Sequence, residues 1–204
     1  MPKTDIKKEL KELYLPSPKK VVTVDVPEMN FLMVDGKGDP NTSKEFQDAV
    51  GALYSMSYTL KFMAKKKDAE SDFVVPPLEG LWWSDDMGAF VMDRKDEWKW
   101  TIMIVQPPHI SAEMVEEARR KAAAKEGASP ALPKVRFEPY HEGLSAQTMH
   151  IGPFSAERPT IEKIHGYIAE TGHGLRGKHH EIYLSDPRKT KPERLKTVVR
   201  QPMG

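Results

Sequence analysis

The sequence predicts an α+β fold made of two similar units, each with the element order strand–strand–helix–strand–strand, and a further helix between them. Three observations support this prediction. Short segments rich in β-branched and aromatic residues recur along the chain, longer segments carry apolar residues at helical spacing, and the order of the two kinds of segment repeats. Such pseudo-symmetric units form an antiparallel sheet with helices on one face, which leaves the other face free to bind another molecule.

The N-terminal residues 1–20 are predicted to form an arm that precedes a single domain over residues 21–204. The arm is charged and contains no hydrophobic run, so we do not expect a secretory signal. A short helix fits residues 5–14, and Pro16 and Pro18 end it.

The first unit is predicted over about residues 21–106. It opens with strands at 21–26 and 30–34, which are short and largely apolar. A helix follows, because Thr42 and Glu45 have the spacing of a capping box. Its predicted apolar stripe consists of Phe46, Val50, Leu53, Leu60 and Met63.

An extended aromatic segment at 78–84 is predicted to follow this helix. Residues 89–93 and 97–106 have the pattern of a hairpin around the charged residues 94–96. The second arm of this hairpin has apolar side chains on both faces, which indicates a central strand.

The connecting helix is predicted at 109–127, with Ser111 as its N-cap. The second unit is predicted over about residues 134–202. Its predicted elements are strands 135–140 and 144–151, helix 159–170, and strands 178–184 and 195–200.

Composition excludes several functional classes. Of 204 residues, 39% are hydrophobic and 30% charged, which is enough apolar material for a buried core. The 31 basic and 30 acidic residues leave a net charge of +1, whereas non-specific binding to nucleic acid needs a basic surplus. No apolar run approaches the roughly 20 residues of a membrane-spanning helix. We therefore expect a cytoplasmic protein without direct nucleic-acid or membrane partners, and its oligomeric state is left open.

The sequence predicts no metal site and no cofactor. There is no cysteine, which excludes thiol catalysis and removes the best zinc ligand. His173, His179 and His180 are close in sequence, but residues 179 and 180 of one strand point to opposite faces. The chain also lacks an HExxH helix, a Walker loop and a GxSxG turn.

The most informative strand is His179–Leu184. Alternation places His179, Glu181 and Tyr183 on one face, and we expect Ile182 and Leu184 on the helix-packed face. A carboxylate in mid-strand is unusual, because strands disfavour Glu and burial disfavours its charge. Two interpretations stay open: the carboxylate lies on a solvated face, or it lies in a cleft, where it would bind a cation or act as a base.

A second informative segment contains Glu79, Gly80, Trp82 and Trp83. Adjacent tryptophans point to opposite faces, so one can line a cleft, although packing of both under loops is an equally simple interpretation. Together the two segments predict an aromatic cavity with one or two carboxylates. Such walls bind flat molecules and cations, and desolvation is expected to raise the pKa of a carboxyl among them.

These segments resemble the GyrI-like small-molecule-binding domain over about residues 20–202. The resemblance is carried by Gly80–Trp83 and by a C-terminal pattern of residues. That pattern comprises Glu142-Gly143, Gln147, His150-Ile151-Gly152-Pro153-Phe154, Glu157, Pro159-Thr160 and Glu181-Ile182-Tyr183-Leu184-Ser185-Asp186-Pro187. It implies a curved sheet around a central ligand cleft, with Glu181 at the base of the cleft and a planar hydrophobic or cationic small molecule as ligand.

Some stand-alone relatives of this length share the double tryptophan and hydrolyse cyclopropanoid, DNA-alkylating natural products. The resemblance therefore implies that Glu181 activates a water molecule and that Glu157 is a second catalytic carboxyl, although Glu157 also fits a first-turn helix acid. Whether catalysis or binding alone is retained stays open. The predicted ligand-binding residues are Tyr183, Trp82, Trp83, Glu79, His179, Phe154 and Tyr140.

An alternative from another class is a protein-interaction module of the gyrase-inhibitor type, without enzymatic activity. The balanced charge and the charged arm are compatible with it. No acidic or hydrophobic docking patch stands out in the sequence to favour it.

Overall fold

A computed structural model describes residues 3–85 and 95–204 of the chain. Within these residues the strands and long helices follow the predicted order, and the fold is α+β. The strands are β1 (Val22–Val26), β2 (Met29–Lys37), β3 (Leu78–Trp83), β4 (Lys99–Val105), β5 (Arg136–Tyr140), β6 (Gly143–Ile151), β7 (His179–Tyr183) and β8 (Lys196–Pro202). The α-helices are α1 (Ile6–Glu9), α2 (Lys11–Tyr14), α3 (Lys44–Lys67), α4 (Ala112–Ala123) and α5 (Arg158–Glu170).

Two sequence predictions concern the strand before β4 and the N-cap of α3. The strand predicted at 89–93 and its turn residue Arg94 lie outside the described residues. The N-cap of α3 is Ser43 and not the predicted Thr42, because the Ser43 hydroxyl accepts the hydrogen bond from the Phe46 amide. In the part of the chain that the structure describes, no helix is long and apolar enough to cross a bilayer.

The described residues form two compact units. The first contains residues 3–6, 29–76, 82–85 and 95–140. The second contains residues 7–28, 77–81 and 141–204. The units are therefore not consecutive halves of the chain, because β1 belongs to the second unit and β5 to the first.

The first unit is organised around β2, which pairs antiparallel with β4 on one side and β5 on the other. Helix α3 packs against β2, β4 and α4. From Trp100 onward every residue of β4 is buried, as expected for a strand with apolar side chains on both faces. Gly36 pairs with Trp100 in the β2–β4 register.

The second unit contains the antiparallel strand order β1-β6-β8-β7. Helix α5 packs against β6 and β8. The core between them is formed by Ala146, Ile164, Ile168, Val199 and Met203. The predicted site residues in this unit are Glu79, Phe154, Glu157, His179, Glu181 and Tyr183.

Candidate active site

Strand β7 places Glu181 between two hydrogen-bond donors on its own face. The Nε2 atom of His179 lies 3.1 Å from Glu181 Oε1, and the Tyr183 hydroxyl donates to Oε2 at 2.8 Å. The predicted grouping of these three residues follows from the two-residue repeat of a strand. The Glu181 side chain is 16% exposed, so solvent reaches it. Burial alone would raise its pKa, but the hydrogen bonds from His179 and Tyr183 outweigh burial and lower the pKa.

Glu157 is the second carboxyl of this site, and its side chain is almost completely buried. It is the N-cap residue of α5 and makes no capping hydrogen bond with its side chain, so only its position at the helix N-terminus fits the helix-acid interpretation, which stays open. Its Oε1 has no hydrogen-bond partner among the described residues. Burial and the neighbouring charge of Glu181 raise the pKa of Glu157 to about 10. The expected raised pKa is thus found at Glu157, whereas that of Glu181 is lowered.

The loop before α5 is held by His150 of β6. The ring of His150 contacts the Thr160 hydroxyl through Nδ1 at 2.9 Å and the Pro153 carbonyl through Nε2 at 3.3 Å. Because a carbonyl only accepts, Nε2 carries the proton and Nδ1 accepts from Thr160. These contacts fix both ends of the segment that carries Phe154 and Glu157.

Phe154 and Tyr183 supply an aromatic wall next to the carboxyls. Their ring centroids lie 5.6 Å apart at an interplanar angle of 83°, an edge-to-face contact, and Phe154 is 37% exposed. Thr197 of β8 pairs with Tyr183 on one side and His150 on the other. Its buried hydroxyl has no hydrogen-bond partner among the described residues. The site therefore combines exposed aromatic surface with a buried carboxyl group, that of Glu157, and a buried hydroxyl group, that of Thr197, which interact with each other.

The face of β7 that carries Glu181 is not the one predicted. Glu181 pairs with Val199 in the β7–β8 register, and directly paired residues share a face. Val199 packs against Ile164 and Ile168 of α5. Glu181 therefore lies on the face that α5 covers, while Ile182 faces the opposite side, so the predicted placement of Ile182 on the helix-packed face is wrong.

That opposite face of the second unit holds a buried ionic cluster that contains Glu79. The Tyr14 hydroxyl donates to Glu79 Oε1 at 2.8 Å, and His180 Nε2 lies 3.0 Å from Glu79 Oε2. His180 Nδ1 lies 2.9 Å from Glu142 Oε1. With a carboxylate at each ring nitrogen, the imidazolium form is favoured: burial alone would lower the pKa of His180, but the charge of Glu142 raises it to about 9. Both oxygens of Glu79 are thus occupied within the protein.

Arg200 of β8 completes this cluster. It donates to Glu142 Oε2 at 2.9 Å, to Gln147 Oε1 at 2.8 Å and to the Leu13 carbonyl at 2.7 Å. Burial raises the pKa of Glu142, but the charges of His180 and Arg200 outweigh it and lower the pKa to about 2. Two carboxylates face two cations, so the cluster is neutral and fully hydrogen-bonded, which indicates a structural role in holding residues 13–14 against the strands.

Sequence reasoning missed this cluster, although one signal was present. Arg200 directly follows the β-branched run Thr197-Val198-Val199 in a predicted strand, and a buried cation requires an anionic partner. No comparable signal marks Tyr14, because the segment around it is short and charged.

The remaining predicted site residues, Trp82, Trp83 and Tyr140, belong to the first unit. Trp82 is buried and stacks on Phe46 with centroids 5.9 Å apart, whereas Trp83 is half-buried. The two tryptophans therefore differ in exposure, as alternation predicts. Tyr140 packs edge-on against Phe31.

A surface cavity of about 530 Å³ lies elsewhere in the second unit. It is lined by Glu12, Leu13, Pro16, Ser17, Lys20, Val22, Thr23, Val24 and Asp25. Neither Glu157 nor Glu181 lines it. Across residues 3–85 and 95–204, no group of three or more histidine and acidic side chains is arranged to hold a metal ion.

Comparisons with known proteins place this geometry in a family. The chain is 45% identical to an uncharacterized conserved protein from Listeria innocua, covering 99% of this chain and 100% of that one with a TM-score of 0.91. It is 43% identical to a hydrolase from Listeria innocua, covering 100% of both chains with a TM-score of 0.89. The C-terminal domain of EcmrR shares the fold, at 11% identity and a TM-score of 0.52, over 91% of this chain and 97% of that one.

Curated proteins give no match to the chain. The model of the GyrI-like small molecule binding domain matches residues 19–202, which is nearly the whole sequence. The chain therefore belongs to the GyrI-like small-molecule-binding domain family.

Proposed function

We propose that this protein binds planar hydrophobic or cationic small molecules and hydrolyses cyclopropanoid alkylating compounds at the Glu157–Glu181 site. The observation that carries the proposal is the pair of neighbouring carboxyls with pKa values moved in opposite directions. At neutral pH one carboxyl holds a proton and the other is ionised, which is the arrangement of a general acid beside a general base. The 43% identity to a hydrolase over the full length of both chains supports a hydrolytic reaction.

The roles follow from exposure and protonation. Glu181 is ionised and reachable by water, so it is the base that removes a proton from the attacking water. Glu157 is buried and protonated, so it is the acid. Hydrogen bonds from His179 and Tyr183 fix the orientation of the Glu181 carboxylate.

The proposed step adds water across one strained carbon–carbon bond. The water oxygen bonds to a cyclopropane carbon, and the ring bond to that carbon breaks. The electron pair of the broken bond moves into the conjugated carbonyl system of the substrate, whose oxygen takes the proton of Glu157. Glu181 takes the proton lost by water, and its transfer to Glu157 restores the starting state, so no oxidant or reductant is required.

The aromatic surface of Phe154 and Tyr183 supports recognition of a flat substrate. Phe154 is exposed beside the Tyr183 ring, and stacking on such faces favours planar molecules. The ionised Glu181 adds an attraction for cationic ligands. Substrate contacts of Trp82, Trp83 and Tyr140, and ligand contacts of Glu79, stay predictions from the sequence.

The test is incubation with a cyclopropyl-indole alkylator and chromatographic measurement of the ring-opened product. We expect Glu181→Gln and Glu157→Gln each to slow ring opening by about 10²- to 10⁴-fold, the usual contribution of a general acid or base. Glu162→Gln is the matched control, because Glu162 is an exposed carboxylate on α5 that pairs with Arg158. Equal rates for the wild type and Glu181→Gln would remove the enzymatic part of the proposal.

Ligand binding is measured separately by quenching of tryptophan fluorescence with aromatic cations. Binding retained by Glu181→Gln without turnover would assign the residue to catalysis. A wild-type protein that binds neither aromatic cations nor the alkylator would overturn the proposal as a whole.

A further inference from the structure

Helix α3 carries an exposed stripe that the proposed function does not use. Its members alternate three and four residues apart, which places them on one line along the helix. Tyr58 is 48% and Phe62 is 60% exposed, and they are large hydrophobic side chains on the same line. The stripe consists of Asp48, Gly51, Ser55, Tyr58, Phe62 and Lys65.

The other side of α3 already has its packing partners. Leu53, Met56 and Leu60 are completely buried, and α3 contacts β2, β4 and α4. The core face of α3 is thus already packed within the chain, and the exposed rings of Tyr58 and Phe62 lie on a different face of the same helix. Contiguous exposed apolar surface marks an interaction site, whereas single exposed hydrophobic residues are ordinary. Tyr58 and Phe62 are four residues apart on one helix, so their exposed rings are neighbours.

The stripe is complementary to itself when reversed. If two copies of α3 lie antiparallel with their centres opposite each other, Phe62 of one copy faces Gly51 of the other, and Tyr58 faces Ser55. A Cβ atom at Gly51 would have no other heavy atom within 4 Å, so the space above Gly51 is open to a large ring. Each bulky side chain thus meets a small one, as helix packing requires.

The charged residues at the two ends of the stripe also favour antiparallel pairing. Antiparallel pairing places Lys65 of one copy opposite Asp48 of the other, at both ends of the stripe. Within its own chain Asp48 pairs with Lys44 at 2.9 Å and Lys65 lies 3.9 Å from Asp72, with both lysines more than half exposed. The largely exposed Lys44 holds Asp48 weakly, and Lys65 lies at the distance limit of an ion pair with the buried Asp72, so neither contact prevents pairing with a second copy. Parallel pairing would instead oppose like charges at both ends.

We propose that the occupant of this stripe is a second copy of the chain, which docks antiparallel through α3 to form a two-fold symmetric dimer. A two-fold interface uses the same patch on both copies, and this stripe has the required self-complementarity. One helix pair buries less than the roughly 1,200 Å² of a standard interface, so the dimer is expected to be weak.

The first experiment is sedimentation velocity on the full chain from about 5 to about 500 μM, the range for a weak complex. We expect the wild type to shift from monomer to dimer over this range and Phe62→Ser to weaken association at least about 10-fold, because Phe62 is the more exposed of the two aromatic residues of the stripe. Leu175→Ser is the matched control, since Leu175 is 57% exposed but lies off the stripe. Circular dichroism confirms that each variant is folded.

The second experiment tests the geometry by cross-linking. The chain has no cysteine, so introduced thiols are the sole ones. A mixture of Asp48→Cys and Lys65→Cys proteins is expected to form a disulfide-linked heterodimer under mild oxidation. Asp48→Cys alone is expected to link poorly, because its two copies would lie about 25 Å apart along the helix pair.

A wild-type protein that stays monomeric over the whole range overturns the proposal. So does a dimer in which Phe62→Ser associates like the wild type, or one in which Asp48→Cys links to itself as efficiently as the mixture. A stripe that binds a different protein would give a monomer in the first experiment and is thereby distinguished. None of these outcomes bears on ring opening, because the stripe contains no residue of the Glu157–Glu181 site.

Discussion

Glu157 keeps its proton at neutral pH because the ionised carboxylate of Glu181 lies beside it and both side chains are largely withdrawn from water. Under the proposed function, this relationship gives the two carboxyls different roles, Glu181 as base and Glu157 as acid. It also means that Glu157 lowers the stability of the native protein at neutral pH, because the unfolded chain releases the Glu157 proton more easily than the native one.

Glu157→Gln is therefore expected to stabilise the protein at neutral and alkaline pH. The native pKa is raised from 4.5 to about 10, so the stability contributed by the bound proton is complete below pH 4.5 and is lost as pH rises toward 10. Gln has no proton to lose. We expect an increase in melting temperature of about 2 °C or more near pH 8, corresponding to roughly 1 kcal/mol, and a much smaller one near pH 4.5. An equal effect at both pH values would contradict this explanation.

The pH dependence of ring opening provides a second test of the pair. The proposed mechanism needs Glu181 ionised and Glu157 protonated, so a plot of kcat/KM against pH is expected to form a broad plateau. On the acid side kcat/KM is expected to fall only below pH 4.5, the ordinary carboxyl pKa, because the pKa of Glu181 is lowered. On the alkaline side kcat/KM is expected to fall near pH 10, the pKa of Glu157. A plateau that ends near pH 6 or 7 on either side would assign the chemistry to a different group, such as a histidine.

Part of this site follows from the sequence and part does not. The two-residue period of β7 correctly groups His179, Glu181 and Tyr183, because alternation depends only on the strand itself. It does not determine which face of the sheet α5 covers, so the prediction that Ile182 lies on the helix-packed face is wrong. Likewise, Thr42 and Ser43 are adjacent hydroxyl residues that satisfy the same capping pattern, and only the backbone geometry selects Ser43.

The pairing of strands is a second feature that the sequence does not predict. Consecutive strands usually pair, but β1 pairs with β6 and β5 pairs with β2. The apolar pattern of a strand does not indicate which strand it pairs with. The sequence therefore predicts the order of the elements along the chain but not the pairing of β1 with β6 and of β5 with β2. The buried position of Tyr14 depends on distant residues for the same reason, since its partner Glu79 is 65 positions away.

Tyr14→Phe is expected to destabilise the second unit. The substitution keeps the ring but leaves Glu79 Oε1 without its buried donor, which costs about 1–3 kcal/mol for a charged acceptor. Urea denaturation measures the loss. Tyr58→Phe is the matched control, because Tyr58 is 48% exposed, and it is expected to change the free energy of unfolding by less than about 0.5 kcal/mol. A Tyr14→Phe protein as stable as the control would show that the buried hydrogen bond contributes nothing net.

The ionic cluster also predicts how the free energy of unfolding falls at acid pH. The pKa of Glu142 is lowered from 4.5 to about 2, so its contribution is present above pH 4.5 and is lost as pH falls toward 2. Glu142→Gln leaves His180 and Arg200 without their shared carboxylate, and we expect a loss of about 3–5 kcal/mol near pH 5.5. The difference between variant and wild type should narrow toward pH 3 in urea titrations. The exposed Glu193→Gln is the control, and a constant difference across this range would refute the linkage.

Gly36→Ala tests the packing of Gly36 against Trp100 in the first unit. A Cβ atom at position 36 would come 2.2 Å from the ring of Trp100, which pairs with Gly36 across β2 and β4 and is completely buried. Because the ring has no space to move, we expect a loss of about 1–3 kcal/mol, as for an overpacked core, together with altered tryptophan fluorescence. Gly166→Ala is the control, since its Cβ would meet nothing within 4 Å on helix α5. There alanine is expected to stabilise by about 0.5–1 kcal/mol, so the two substitutions should have opposite signs, and equal signs would contradict the packing argument.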